Sequence, residues 1–188
     1  MDLQQYTNDA IRTESVVDEF SVNSVLFKSA LDAFIASGII LDQIKRSVYY
    51  GSDIDMAKVA DAREDLFSSA AAIDTVEDLD PKNEQRETFN FDTRVLHALI
   101  GGMTEAGELA EALIKAIDTN SELDAVNLGE EFADINWYQA IACDALGLNW
   151  GNLLDANIRK LKTRYPEKFT SQDALNRDLD SERSELES

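Results

Sequence analysis

The sequence predicts an all-α fold, and three observations carry that expectation. Prolines number 2 and glycines 8 in 188 residues, so little interrupts helix formation. Long stretches repeat apolar residues at intervals of three and four, the period of a helix face, and not at two. Leu, Ile, Val and Phe supply 50 of the 188 residues, well above the roughly 20% below which a strongly charged chain stays disordered, so the helices have a core to share.

In chain order, helices are expected near residues 3–13, 22–49, 55–73, 91–118, 123–146 and 151–164. The last of these stops at the Tyr165-Pro166 step, because the residue before a proline disfavours the α region. Between Asp74 and Asn90 the segment DTVEDLDPKNEQRETFN is polar, contains Pro81 and has little apolar periodicity, which reads as a linker. From Ser171 onward, six acids and two arginines make either a short solvated helix or a frayed end. The expected organisation is a helical half over 1–75, a linker over 76–90, a second half over 91–170 and an acidic tail over 171–188. The two halves are expected to pack as one domain.

Charge narrows the function. Seventeen Lys and Arg stand against 37 Asp and Glu, a net charge of -20 and a pI near 4.2. That balance opposes attraction to phosphate backbones and anionic membranes, so neither nucleic acid nor a membrane is an expected partner. The most apolar stretch, Ala33 to Leu41, is flanked by Asp32 and Asp42 and falls short of the ~20 residues that span a bilayer. A lone Cys143 has no partner for an internal disulfide, and MDLQQYTNDAIR has neither part of a signal peptide, so a cytoplasmic setting is expected. His97 is the single histidine, which excludes His-rich metal sites and the bundle that needs two Glu-x-x-His pairs. His97 fits a packing role, and Cys143, within an apolar run, a core role.

A shift of 69 residues sets Gly38 on Gly107, Ser52 on Ser121, Asp55 on Asp124 and Asp65 on Asp134 without a gap. It also pairs Ile40, Ile44, Val48, Ile54 and Val59 with apolar partners. Only 4 of 33 positions between residues 35 and 67 are identical, so the shift fits either a true repeat or the period that any two amphipathic helices share.

In TEAGELAEAL, Glu105 and Glu108 are three apart and lie on one helix face; in LGEEFADINWY, Glu131 and Asp134 repeat that spacing, with Glu130 alongside. The 22 residues between Glu108 and Glu131 allow a turn and antiparallel packing, so four carboxylates can converge. Carboxylates brought together raise one another's pKa or demand a cation, and an oxygen-only donor set suits Mg²⁺ or Mn²⁺. The same spacings also arise on solvated faces in so acidic a chain. Against that, the stripe His97, Gly101, Glu105, Glu108, Ala112, Lys115 runs between Leu96, Leu99, Ile100, Met103, Leu109 and Leu113, away from the centre of a charged outer face. Gly101 and Gly102 permit a close helix approach or a ligand.

Downstream, Arg159, Lys160, Lys162, Arg164 and Lys168 put five basic residues into ten positions. Asn157, Lys160 and Arg164 fall at i, i+3 and i+7, beside the apolar stripe Leu154, Ile158, Leu161, Tyr165. They either face a polyphosphate or complement the dipole at a helix C-terminus. Trp137 and Tyr138 either stack on a base or belong to the core.

These residues resemble the MazG-like all-α nucleoside triphosphate pyrophosphohydrolases, especially the bacteriophage type. TEAGELAEAL and LGEEFADINWY look like that family's E-x-x-E and E-x-x-D metal motif, and ANIRKLKTRYPEKFT with ALNRDLDSER looks like its substrate-side helix and tail. YTNDAIRTES resembles its opening segment, and LDQIKRSVYYGSDID the segment that follows its first glutamate pair. The resemblance implies a MazG-like helical bundle in which Glu105, Glu108, Glu131 and Asp134 bind Mg²⁺, with Mn²⁺ as a substitute. It implies Glu105 or Glu108 as the base, Asn157, Lys160 and Arg164 as substrate contacts, and hydrolysis of an NTP or dNTP to the monophosphate and pyrophosphate. The role implied is trimming or sanitising a nucleotide pool, in the bacterial host cytoplasm for a phage protein.

The 69-residue shift puts Ala36, Ile39 and Ala62 where Glu105, Glu108 and Glu131 stand and leaves only Asp65 opposite Asp134. One carboxylate cannot hold the ion, so the N-terminal half is expected to be a degenerate half-repeat kept for packing, its Ile40 and Ile44 covering the helices that carry the cluster. The chain is then either a homo-oligomer, such as a dimer, or a single chain that imitates one. Two other functions compete: an acidic phage-type interaction protein, and a catalytically silent nucleotide-binding member of the family.

Overall fold

In the computed structural model, which describes residues 2–76 and 86–187, the chain is all-α but for one short pair of strands. Helices α1 (Leu3–Ala10), α2 (Ser24–Tyr50), α3 (Met56–Ile73), α4 (Thr93–Thr119), α5 (Ala125–Ala145), α6 (Trp150–Arg164), α7 (Ser171–Leu175) and α8 (Leu179–Glu187) follow the expected order. Strand β1 (Ser21–Asn23), at the start of the expected 22–49 helix, pairs antiparallel with β2 (Arg86–Thr88), inside the expected linker, with Val22 opposite Glu87. The Phe20, Phe27 and Phe89 rings, 5.3 to 6.3 Å apart, pack beside that pair. Pro81 and positions 77–85 of the expected linker lie outside the described residues.

Helix starts follow local chemistry. Asp92 accepts hydrogen bonds from the Arg94 and Val95 amides ahead of α4, Asp55 from Ala57 and Lys58 ahead of α3, and Asp124 from Val126 and Asn127 ahead of α5. Each satisfies donors that a helix N-terminus leaves bare. Gly51 after α2 and Asn120 after α4 both adopt the left-handed conformation that closes a helix C-terminus.

These bounds repeat at the 69-residue shift. Helices α2 and α4 are both 27 residues long and start 69 apart; α3 and α5 also start 69 apart, each behind an aspartate cap. A shared helical period does not force capping residues, left-handed stops and helix lengths into one register, so the structural repetition is real.

Compact units do not follow chain order. One comprises Met1–Glu19 with Asn90–Ile158, the other Phe20–Phe89 with Arg159–Ser188. The N-terminal segment thus departs from the expected 1–75 half: the Tyr6 ring packs tilted against Trp150 at 5.7 Å, and the Glu14 carboxylate takes a forked pair of hydrogen bonds from Arg94. In this first unit α4 and α5 form a long hairpin, and Ala10, Ala140, Cys143 and Trp150 make a small core with Tyr6 and Trp137 against it.

The second unit is built on the α2–α3 hairpin, with α7 packed on α2 and Phe169 between Tyr50 and Tyr165. Its seam is made of small and polar residues: Ser29, Ala36 and Gln43, seven apart on α2, and Ala62 and Ser69 on α3. Ile40 is half-buried and Ile44 is 48% exposed, so Ile44 is not the buried cover the sequence suggests. By length and composition alone, α2 is apolar enough to cross a bilayer. The 33–41 stretch undercounts this, because the apolar character continues on either side of Asp32 and Asp42.

Candidate metal centre

Transferring the α2–α3 seam by 69 residues gives Ala98, Glu105 and Ala112 on α4, and Glu131 and Tyr138 on α5. Where the second unit has Ala36 and Ala62, each 1% exposed, the first unit therefore carries two carboxylates. Glu131 is 6% exposed and Glu105 half-buried, so neither belongs to a solvated face; Glu108 and Asp134 are exposed. Glu105, Glu131 and Asp134 each bring one carboxylate oxygen to within 4.8 Å of the others. Glu108, one turn beyond Glu105, stands outside that group of three but close enough to act on Glu105 electrostatically.

Electrostatics register the crowding. The Glu105 carboxyl is raised above its usual 4.5, first by burial, then by the charges of Glu108 and Asp134 and by its contact with Glu131. Burial and the charges of Glu105, Asp134 and Glu108 push the Tyr138 phenol upward, and burial with Asp134 does the same to Tyr6. A seam carboxylate facing two others is costly to leave uncompensated. The donor set is all oxygen, spans two helices and leaves one side open through exposed Asp134, which fits a hard divalent cation.

Support comes from residues that the motif spacing leaves out. The Asn127 side-chain amide donates a 2.6 Å hydrogen bond to Glu131 Oε1 from one turn earlier on α5, fixing that carboxylate. The Tyr138 ring lies where a Cβ at position 101 would be, so Gly101 serves the close helix approach; Gly102 faces open space. Asn127 is marked in the sequence only by standing four before Glu131; the close approach at Gly101 is the one its glycine suggests, while its partner Tyr138, on the other helix, carries no local signal.

Tyr138 and Trp137 pack edge-on against His97 at 5.5 and 6.0 Å, and Trp137 Nε1 donates to Thr13 Oγ1 at 2.9 Å, a packing arrangement. Burial raises the Cys143 thiol, in keeping with its core position. Asn157, Lys160 and Arg164 lie half-buried along α6, which begins in the first unit and ends in the second. Arg164 is engaged by Glu182, its Nε donating at 2.8 Å.

At the transferred position in the second unit there is an open groove of about 570 Å³ whose lining includes Ile39, Lys58, Ala62 and Asp65. Lys58 takes the place of Asn127, and Asp65 is the only carboxylate among the counterparts of the four motif residues. Compared with protein families, with curated proteins and with solved structures, the chain matches none of them.

Proposed function

We propose that the protein is a Mg²⁺-dependent nucleoside triphosphate pyrophosphohydrolase of the MazG-like type, with one competent cluster per chain. The observation that supports this best is the convergence of Glu105, Glu131 and Asp134 at seam positions whose counterparts include two buried alanines. Helices need no carboxylates there to pack, as α2 and α3 demonstrate, so a ligand is the economical reason for them.

In this reading Glu105, Glu131 and Asp134 would hold the ion, with Asn127 fixing Glu131 and Glu108 standing one turn beyond Glu105. A bound Mg²⁺ supplies charge neutralisation at the phosphate oxygens and acidifies water. Glu105 or Glu108 accepts the proton of the attacking water, and Asn157, in the same unit, contacts the phosphates. The water oxygen bonds to the α-phosphorus, the bridging bond from the α-phosphorus to oxygen breaks, and pyrophosphate leaves with the electron pair.

The test is a panel of ribo- and deoxyribonucleoside triphosphates incubated with and without Mg²⁺, products separated by chromatography. Monophosphate with pyrophosphate from at least one of them is the expected result. Diphosphate with orthophosphate would exclude this chemistry, and no turnover across the panel would leave a binding-only protein.

A further inference from the structure

Outside the carboxylate cluster, the second unit contains a charged group of a different kind. Glu182 on α8 is 4% exposed and is the one buried residue of that helix; Leu179 and Leu186 are 62% and 41% exposed. Two guanidiniums enclose its carboxylate. Arg164 donates from Nε to Oε1 at 2.8 Å and from Nη2 to Oε2, and Arg177 donates from Nε to Oε1 at 3.2 Å and from Nη2 to Oε2 at 2.6 Å. One turn on, Glu185 lies 3.8 Å from Arg159 Nε and accepts from Thr163 Oγ1 at 3.3 Å. Helix α8 is thus held to the end of α6 by ion pairs and not by apolar burial.

We propose that Arg164 and Arg177 form a binding site for a polyphosphate anion, which Glu182 fills in the resting chain, so that α8 is released when the anion binds. Guanidinium forks match phosphate oxygens as they match a carboxylate, and a polyphosphate neutralises both cations where one carboxylate leaves an excess of one positive charge. The two arginines hold the Glu182 carboxyl down to about 2, so it is a permanently charged competitor at neutral pH. Once Glu182 is displaced, α8 keeps the solvent-exposed contacts of Glu185 with Arg159 and Thr163 but has no buried apolar side chain to retain it. That the anion is the triphosphate of a nucleotide rests on the hydrolase reading; the anion site itself does not.

The experiment uses the full chain without divalent cations and inorganic tripolyphosphate as the probe, with titration calorimetry and hydrogen exchange as readouts. Saturating tripolyphosphate should raise amide exchange across residues 179–187 in the wild type. Glu182→Gln should bind tripolyphosphate at least about tenfold more tightly, because the carboxylate that engages both guanidiniums no longer competes. Arg177→Gln should weaken binding. Unchanged α8 exchange at saturation, or equal affinity in wild type and Glu182→Gln, overturns the proposal. No arm needs turnover, so an absence of hydrolysis leaves this test intact, and a failure here leaves the hydrolase assay intact.

Discussion

Asn127 and Glu131, one turn apart on α5, are joined by a 2.6 Å hydrogen bond that aims a buried carboxylate at Glu105 and Asp134. Groups that orient a metal ligand typically contribute 10- to 100-fold in metal affinity. Asn127→Ala should therefore weaken Mn²⁺ binding by about that range while circular dichroism stays helical. Titration calorimetry on the metal-free chain makes the comparison, and unchanged affinity would show that Glu131 needs no such support.

Gly101 and Gly102 should respond oppositely to the same substitution. A Cβ at 101 overlaps the Tyr138 ring, so Gly101→Ala should cost about 1–3 kcal/mol, as overpacking does. Nothing stands within 4 Å of a Cβ at 102, and Gly102→Ala should stabilise α4 by about 0.5–1 kcal/mol. Chemical denaturation of both variants checks the pair.

Two carboxylates give the stability curve opposite slopes. Glu105 has a folded-state pKa raised above 4.5, by burial first and then by neighbouring carboxylates, so its contribution is full below that value and is lost as pH rises through the folded pKa. Glu182 is lowered from 4.5 to about 2 by Arg164 and Arg177, so its contribution is present above 4.5 and is lost as pH falls toward 2. The melting temperature of the metal-free chain should rise as neutral pH is lowered toward 4.5 and fall on further acidification. Glu105→Gln should flatten the first trend and Glu182→Gln the second.

The α2–α3 hairpin should matter through packing alone. Asp65→Ala should leave metal affinity unchanged, because Ala36, Ile39 and Ala62 give it no carboxylate partner at the motif positions. Ile44→Ala, at 48% exposure, should cost less than the roughly 2–5 kcal/mol of a buried isoleucine. Ala62→Leu, at a seam position 1% exposed beside the groove, should cost about 1–3 kcal/mol. Loss of a metal ion in Asp65→Ala would mean that the first repeat contributes a ligand.

Helix positions were legible in the sequence because their causes are local: Asp55, Asp92 and Asp124 cap the helices they precede, and Gly51 and Asn120 stop α2 and α4. The carboxylate motif was legible because three-residue spacing fixes a common face. What escaped depends on distant partners. Strands β1 and β2 are three residues each and far apart in the chain, and the phenylalanine rings beside them come from the same two distant segments. Glu182 reads as one more solvated acid until Arg164 and Arg177 enclose it. Glu105 and Glu131 became seam residues only when α2 and α3 showed which positions face inward.

The central claim, that the α4–α5 carboxylates serve hydrolysis at an α-phosphorus, is tested most directly by turnover in ¹⁸O-labelled water. With Mg²⁺ present, the label should enter the nucleoside monophosphate and be absent from pyrophosphate, and Glu131→Gln should abolish the labelled product. Label in pyrophosphate or orthophosphate, or undiminished labelling in Glu131→Gln, would contradict it.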